Sequence, residues 1–246
     1  MKIQVAAIIT AAGSSSRMDN VKKEFLPMPT AAGEKPLTVL GAAVNAFMAC
    51  TNVDLVIIVI PKGMEKEARD ALPDEFNSGQ TEKKILFAEG GPNRQASVYN
   101  ALRALEQSNP MWVLIHDGAR PWIKPELIDE IIHTVIMYKA VVPVLPVVET
   151  PKEIEYSGTG GMGFVTRHLK RSCTGTAQTP QAFVFPGILD AHKKAAENCA
   201  ENPGVEYTDD AEIWGEFAGK VAVIQGDPEN KKITFQKDLS EKPDNK

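Results

Sequence analysis

Along this chain, unbroken apolar runs of strand length alternate with longer stretches in which apolar residues recur every three or four positions. The runs from Val5 to Thr10 and from Asp54 to Ile60 are apolar on both parities, as strands covered on both faces must be. Shorter strands are expected at Lys84–Ala88 and Trp112–Ile115. Another is expected at Ala140–Val148, where Pro143 and Pro146 point to an edge position or a bulge. Helical spacing of Leu37, Leu40, Val44, Phe47 and Met48 predicts a helix from Pro36 to Cys50. Related patterns predict helices at Met64–Leu72, Asn93–Leu105, Pro125–Tyr138 and Pro186–Ala200, with a polar connection at Pro73–Thr81. Thr208 and Asp209 read as the cap of one more helix, before a strand at Lys220–Gln225 and a loop with a short strand at Asp227–Thr234. This alternation predicts an α/β fold, a mostly parallel sheet flanked by helices. One domain is expected over residues 1–246, with a frayed tail from about 240.

Residues 149–173 break the pattern. Ile154 and Tyr156 alternate with charged residues, a turn-rich stretch runs from Ser157 to Gly161, and Phe164 to Arg167 returns. So few apolar residues cannot make a core. The expectation is a β-hairpin arm at about 150–172 that projects and packs on another subunit, making a homodimer.

Three strand ends carry candidate chemistry. The first strand delivers Ala11-Ala12-Gly13-Ser14-Ser15-Ser16-Arg17-Met18 and then Lys22-Lys23-Glu24. Small residues leave backbone N–H groups open to an anion, and Arg17 and Lys23 add full charges, which together suit a phosphate. The Lys84–Ala88 strand feeds Glu89-Gly90-Gly91-Pro92. Trp112–Ile115 runs into His116-Asp117-Gly118-Ala119-Arg120-Pro121, which puts a carboxylate and a guanidinium at a strand's carboxyl end, where α/β sheets bind ligands. The chain has no G-x-x-x-x-G-K-[ST], and Ser15 stands where a dinucleotide fingerprint needs its second glycine.

Composition makes any anion site local. Hydrophobic residues are 43%, charged residues 24% and the net charge is −5, against general nucleic-acid or membrane binding. Cys50, Cys173 and Cys199 lie far apart without C-x-x-C, so neither a disulfide framework nor a zinc site is indicated, and Cys173 reads as an unreactive thiol. With no signal-type segment and no apolar run near the ~20 residues of a membrane span, a cytoplasmic protein is expected.

Taken in order, the motifs resemble those of the 2-C-methyl-D-erythritol 4-phosphate cytidylyltransferase family of nucleotidyltransferases. They are A-A-G-S-S-S-R-M at 11–18, K-E-F-L at 23–26, G-G-P-N-R-Q-A-S-V at 90–98, H-D-G-A-R-P at 116–121, E-T-P-K at 149–152, T-P-Q-A-F at 179–183, T-D-D-A at 208–211 and N-K-K-I-T at 230–234. The likeness covers residues 3 to about 239. It implies a Rossmann-like sheet and a reaction that joins CTP to the polyol phosphate and releases diphosphate, a step of isoprenoid precursor synthesis.

By that resemblance Arg17 and Lys23 hold the triphosphate and stabilise the transition state. Ala11, Ala12, Gly13, Ser14, Ser15, Gly90, Gly91, Ser97 and Asp117 bind CTP, with Gly91 and Ser97 facing the cytosine. Arg171 and Lys232 position the acceptor phosphate, preferred to Arg167 and Lys231 by their spacing to Thr179 and to the apolar-Thr pair. Arg120 and Thr179 reach the acceptor, joined by Thr150 from the partner's arm. Mg²⁺ is implied mainly on the substrate phosphates, with Asp117 as a candidate protein ligand. Pro92 stands where some members have an acid touching the base. A similar branch uses ribitol 5-phosphate or a related polyol phosphate, and a nucleotide-binding protein without turnover is a third reading. His116 reads as a structural histidine.

Overall fold

The computed structural model describes residues 4–13, 21–30, 35–77, 81, 83–156 and 161–239. At its centre β1 (Val5–Thr10) pairs in parallel with β2 (Leu55–Ile60). The two-faced apolar runs have the environment they require. Ala7, Ile9, Val56 and Ile58 share one core with α1 (Val39–Ala49), while Ala6, Ile8, Leu55 and Ile57 face the opposite core. Thr38 caps α1 by accepting the Gly41 N–H at 2.8 Å, so the helix begins three residues later than the periodicity suggested.

Beyond α2 (Glu65–Asp70) and the short α3 (Asp74–Asn77), β3 (Lys84–Glu89) forms one edge of the sheet next to β2. The α3 turn falls in the stretch expected to be a polar connection. Next come α4 (Arg94–Ala104), β4 (Trp112–Asp117) and α5 (Pro125–Tyr138), the last with the bounds that its apolar spacing predicts. β4 lies in parallel on the other side of β1. α4 covers one face of the sheet, and α1 and α5 cover the other.

Of the edge position or bulge expected at β5 (Ala140–Pro146), the edge is overturned, because the strand is interior, whereas its antiparallel ladder does shift register between Val141 and Val144. β10 (Ala222–Gln225) pairs with it in parallel on one flank. On the other flank its antiparallel partner changes from β9 (Gln181–Val184) to β8 (Gly175–Ala177). Pro143 sits where that ladder changes partner, which is how an interior strand accommodates a residue with no N–H. The order is β10-β5-β9-β4-β1-β2-β3, with β9 antiparallel between β5 and β4. α6 (Phe185–Glu201) and α7 (Asp210–Phe217) complete the layer beside α4. Asp209 caps α7 through the Glu212 N–H at 2.8 Å, as expected. No strand forms at 227–234, where the chain is an irregular segment.

Between β5 and β8 the antiparallel hairpin of β6 (Lys152–Tyr156) and β7 (Gly163–His168) makes a separate two-stranded sheet, exposed at every position. The turn at 157–160 and the tail beyond Leu239 lie outside the described residues. Among the described residues no helix is long and apolar enough to cross a membrane.

Candidate active site

A cavity of about 600 Å³ opens at the carboxyl ends of β1 and β4. Ala12 and Gly13 form part of its wall, next to the turn that leads into α4. That turn needs its glycines: a Cβ on Gly90 would lie 2.4 Å from the Ala12 Cβ, and one on Gly91 would lie 2.5 Å from the Ala96 Cβ. Ser97 closes the turn, its hydroxyl accepting the Gly91 N–H at 2.9 Å and donating to the Asn93 carbonyl at 2.7 Å. Asn93 caps α4 through the Ala96 N–H, so the helix presents its positive end to the cavity that Gly91, Asn93 and Ser97 line. Ala11 is buried and its N–H is given to the Val59 carbonyl at 2.7 Å. Lys22 donates to the carbonyls of Ala12 and Gly13.

Two lysines from opposite ends of the chain meet in this cavity. Lys23 opens a 3₁₀ turn, is buried, and donates to the Ile233 carbonyl at 2.8 Å. Lys232 donates to Asp117 Oδ2 at 2.7 Å. The irregular segment after β10 therefore acts as the far wall.

Asp117 is the electrostatic hub. Besides Lys232, Arg94 Nε lies 3.7 Å from its Oδ1 and Arg120 Nε lies 3.8 Å from its Oδ2. Burial alone would raise this carboxyl, but the three cations outweigh it and hold the group ionised, well below the usual carboxylate range. Burial lowers Arg120, with Asp117 opposing, and its Nη1 donates to the Asn230 carbonyl at 2.7 Å. Burial likewise works against the charge on Arg94, yet Asp210 and Asp117 more than offset it.

His116 and Thr179 lie beneath the hub. His116 is fully buried, with Nε2 at 3.1 Å from the Arg120 carbonyl and Nδ1 at 3.1 Å from the Thr179 hydroxyl. Burial pushes its pKa down to about 4, which makes it a neutral structural group at pH 7. The Thr179 hydroxyl also accepts the Asp117 N–H at 3.0 Å. Expected to reach an acceptor, this buried threonine instead has its hydroxyl engaged in holding β4, and it does not line the cavity.

Of the remaining residues singled out from sequence, Ser14, Ser15 and Arg17 lie outside the described residues. Thr150 and Arg171 are exposed at the base of the arm, where Arg171 donates to the Val148 carbonyl at 3.0 Å. Neither lines the cavity of its own chain. Sequence reasoning assigned no role to Arg94, although its place one residue after a helix cap in a glycine turn was a usable signal. Among the described residues no cluster of three or more His, Cys, Asp or Glu is arranged to hold a metal, and Asp117 already has Lys232 on one oxygen.

A family model described as 2-C-methyl-D-erythritol 4-phosphate cytidylyltransferase matches residues 5–242. A bifunctional enzyme IspD/IspF of Bartonella tribocorum is 36% identical over 242 residues, covering 97% of this chain and 55% of the relative. The chain thus spans about half the length of the bifunctional relatives it matches. A 2-C-methyl-D-erythritol 4-phosphate cytidylyltransferase of Geobacillus thermodenitrificans is 33% identical, covering 95% of this chain and 92% of the relative. Among solved structures, 4-diphosphocytidyl-2C-methyl-D-erythritol synthase of Anaerococcus prevotii aligns with a TM-score of 0.75 at 28% identity, covering 97% of this chain and 93% of that one.

Proposed function

The chain belongs to the 2-C-methyl-D-erythritol 4-phosphate cytidylyltransferase family, and on that premise we propose that it transfers a cytidylyl group from CTP to 2-C-methyl-D-erythritol 4-phosphate, releasing diphosphate. The observation that carries this reading is the meeting of Lys23 and Lys232 in one cavity beside the glycine turn and the hub carboxylate. An acceptor phosphate oxygen must attack the α-phosphorus of a polyanion, so the chemistry consists of neutralising repulsion and growing negative charge. In this reading Lys23 and Arg17 bind the triphosphate, and the backbone of residues 11–15 follows it. Gly90, Gly91 and Ser97 read the cytosine. Lys232 and Arg120 face the acceptor, with Asp117 ordering both cations between the substrates. Mg²⁺ supplies further neutralisation when bound to the phosphates.

We assign Thr150 and Arg171 to the site of a second copy, because they stand on an arm that buries none of its own strands. The working unit in this reading is a cytoplasmic homodimer. The test uses purified chain, CTP and Mg²⁺ with 2-C-methyl-D-erythritol 4-phosphate and ribitol 5-phosphate assayed side by side. Diphosphate is expected with the first acceptor only, and its release is expected to stop when EDTA removes the metal. Preference for ribitol 5-phosphate would move the acceptor while keeping the transfer. CTP binding without diphosphate from either acceptor would leave only a nucleotide-binding protein.

A further inference from the structure

Arg94 lines the cavity between the glycine turn and Asp117, and its guanidinium is held from behind. Nη2 donates to Asp210 Oδ2 at 2.7 Å, and Nε points toward Asp117 Oδ1 at 3.7 Å. Among the described residues Nη1 has no protein partner. The fork therefore has two arms directed at carboxylates and one N–H pair left for a ligand.

Asp210 is itself fixed. It is completely buried, and its second oxygen, Oδ1, lies 3.1 Å from His192 Nε2. His192 is also fully buried, and because an ionised carboxylate only accepts, its Nε2–H donates to Asp210 Oδ1. Gln95 donates to the His192 backbone carbonyl at 3.2 Å and ties α6 to α4 next to Arg94. A fully buried carboxylate between two donors is costly to desolvate, and the group it orients reaches the cavity.

We propose that Arg94 is a nucleotide-contacting residue and that Asp210, braced by His192, is the positioning residue that aims it. The inference rests on the reading of the cavity as a CTP site. The third arm of the guanidinium would meet an anionic or carbonyl oxygen of the nucleotide, since a guanidinium offers donors only.

The test is a double-mutant cycle on CTP affinity, measured by titration calorimetry at fixed salt with Arg94→Ala, Asp210→Asn and the pair. Each single variant is expected to bind CTP about tenfold more weakly, the scale of one lost charge-assisted hydrogen bond, and the double variant no more weakly than Arg94→Ala alone. KM for CTP should rise while KM for the acceptor holds. Losses that multiply in the double variant, or wild-type affinity in Asp210→Asn, would overturn the positioning role. If Asp210→Asn does not fold, Arg94→Lys carries the test: a lysine keeps the charge but cannot bridge, so it should bind as weakly as Arg94→Ala, and wild-type affinity there would sink the proposal. Absence of CTP binding by the wild-type chain would overturn the cavity's function and this inference together, whereas the other outcomes leave that function standing.

Discussion

The cavity and the arm, parts of one chain, are built on opposite principles. Around the cavity charges are held by groups that are themselves held: Lys232, Arg94 and Arg120 converge on Asp117, and Thr179 and His116 fix its backbone from below. On the arm every strand residue is exposed, Ile154, Tyr156, Phe164 and Val165 among them. Preorganised charge needs a core beneath it, because fixed dipoles and ions act on a substrate only if they do not have to reorganise. An arm without a core is positioned only by whatever it meets.

Four measurements would break or sharpen this contrast, taken from the largest effect downward. Asp117→Ala should cost about 4 kcal/mol in urea unfolding, since it removes the buried carboxylate on which three cations converge. A loss below ~1 kcal/mol would mean that the hub is not what holds the cavity. Next is pH. The folded His116 takes its proton near pH 4, whereas an unfolded imidazole takes it near 6.5, so unfolding binds a proton between those values and stability rises with pH across that window. The gain should be about 3 kcal/mol, level above pH 6.5, and absent in His116→Gln. A wild-type profile that is flat over the window would place His116 in water.

Third, Lys23→Ala should lower turnover on the order of 10²-fold, as loss of one preorganised charge does. If the site is shared, mixing Lys23→Ala with Arg171→Ala chains should restore about a quarter of wild-type turnover, because half the pairs are mixed and each mixed pair holds one intact site. No recovery after equilibration would confine the site to a single chain. The smallest effect is on the arm: Tyr156→Ala, at a position 69% exposed, should change the unfolding free energy of the dilute chain by less than ~0.5 kcal/mol. Its effect on thermal midpoint should grow with protein concentration if the arm packs on a second copy.

What could be read from sequence follows the same division. β1, β2, β4 and α5 were legible because buried parallel strands and an amphipathic helix leave periodicities that nothing else in the chain imitates. The α4 start was legible from Asn93 and its glycine turn, and the arm from its lack of apolar residues. β9 was not: four residues long, it enters the sheet antiparallel between strands distant in sequence, and no local pattern records that. Pro143 left an edge and a bulge both open, and the structure decides between them, since the strand is interior and its ladder shifts register at that residue. Lys23 and Lys232 were found by motif order, and the structure brings them to one cavity. Asp210 and His192 stayed hidden because a buried hydrogen-bonded pair looks, letter by letter, like ordinary surface residues. The motif that pointed to Thr179 also carries no sign of its hydroxyl's place beside His116 and the Asp117 N–H.

The hairpin leaves and rejoins the sheet at one place, since Val144, Leu145 and Pro146 pair directly with Ala177, Thr176 and Gly175. Its two feet are thus pinned together, and lengthening or rewriting residues 147–174 adds little closure entropy to the sheet they spring from. Natural variation can reshape that excursion while the charges at the neighbouring carboxyl ends of β1 and β4 keep their geometry.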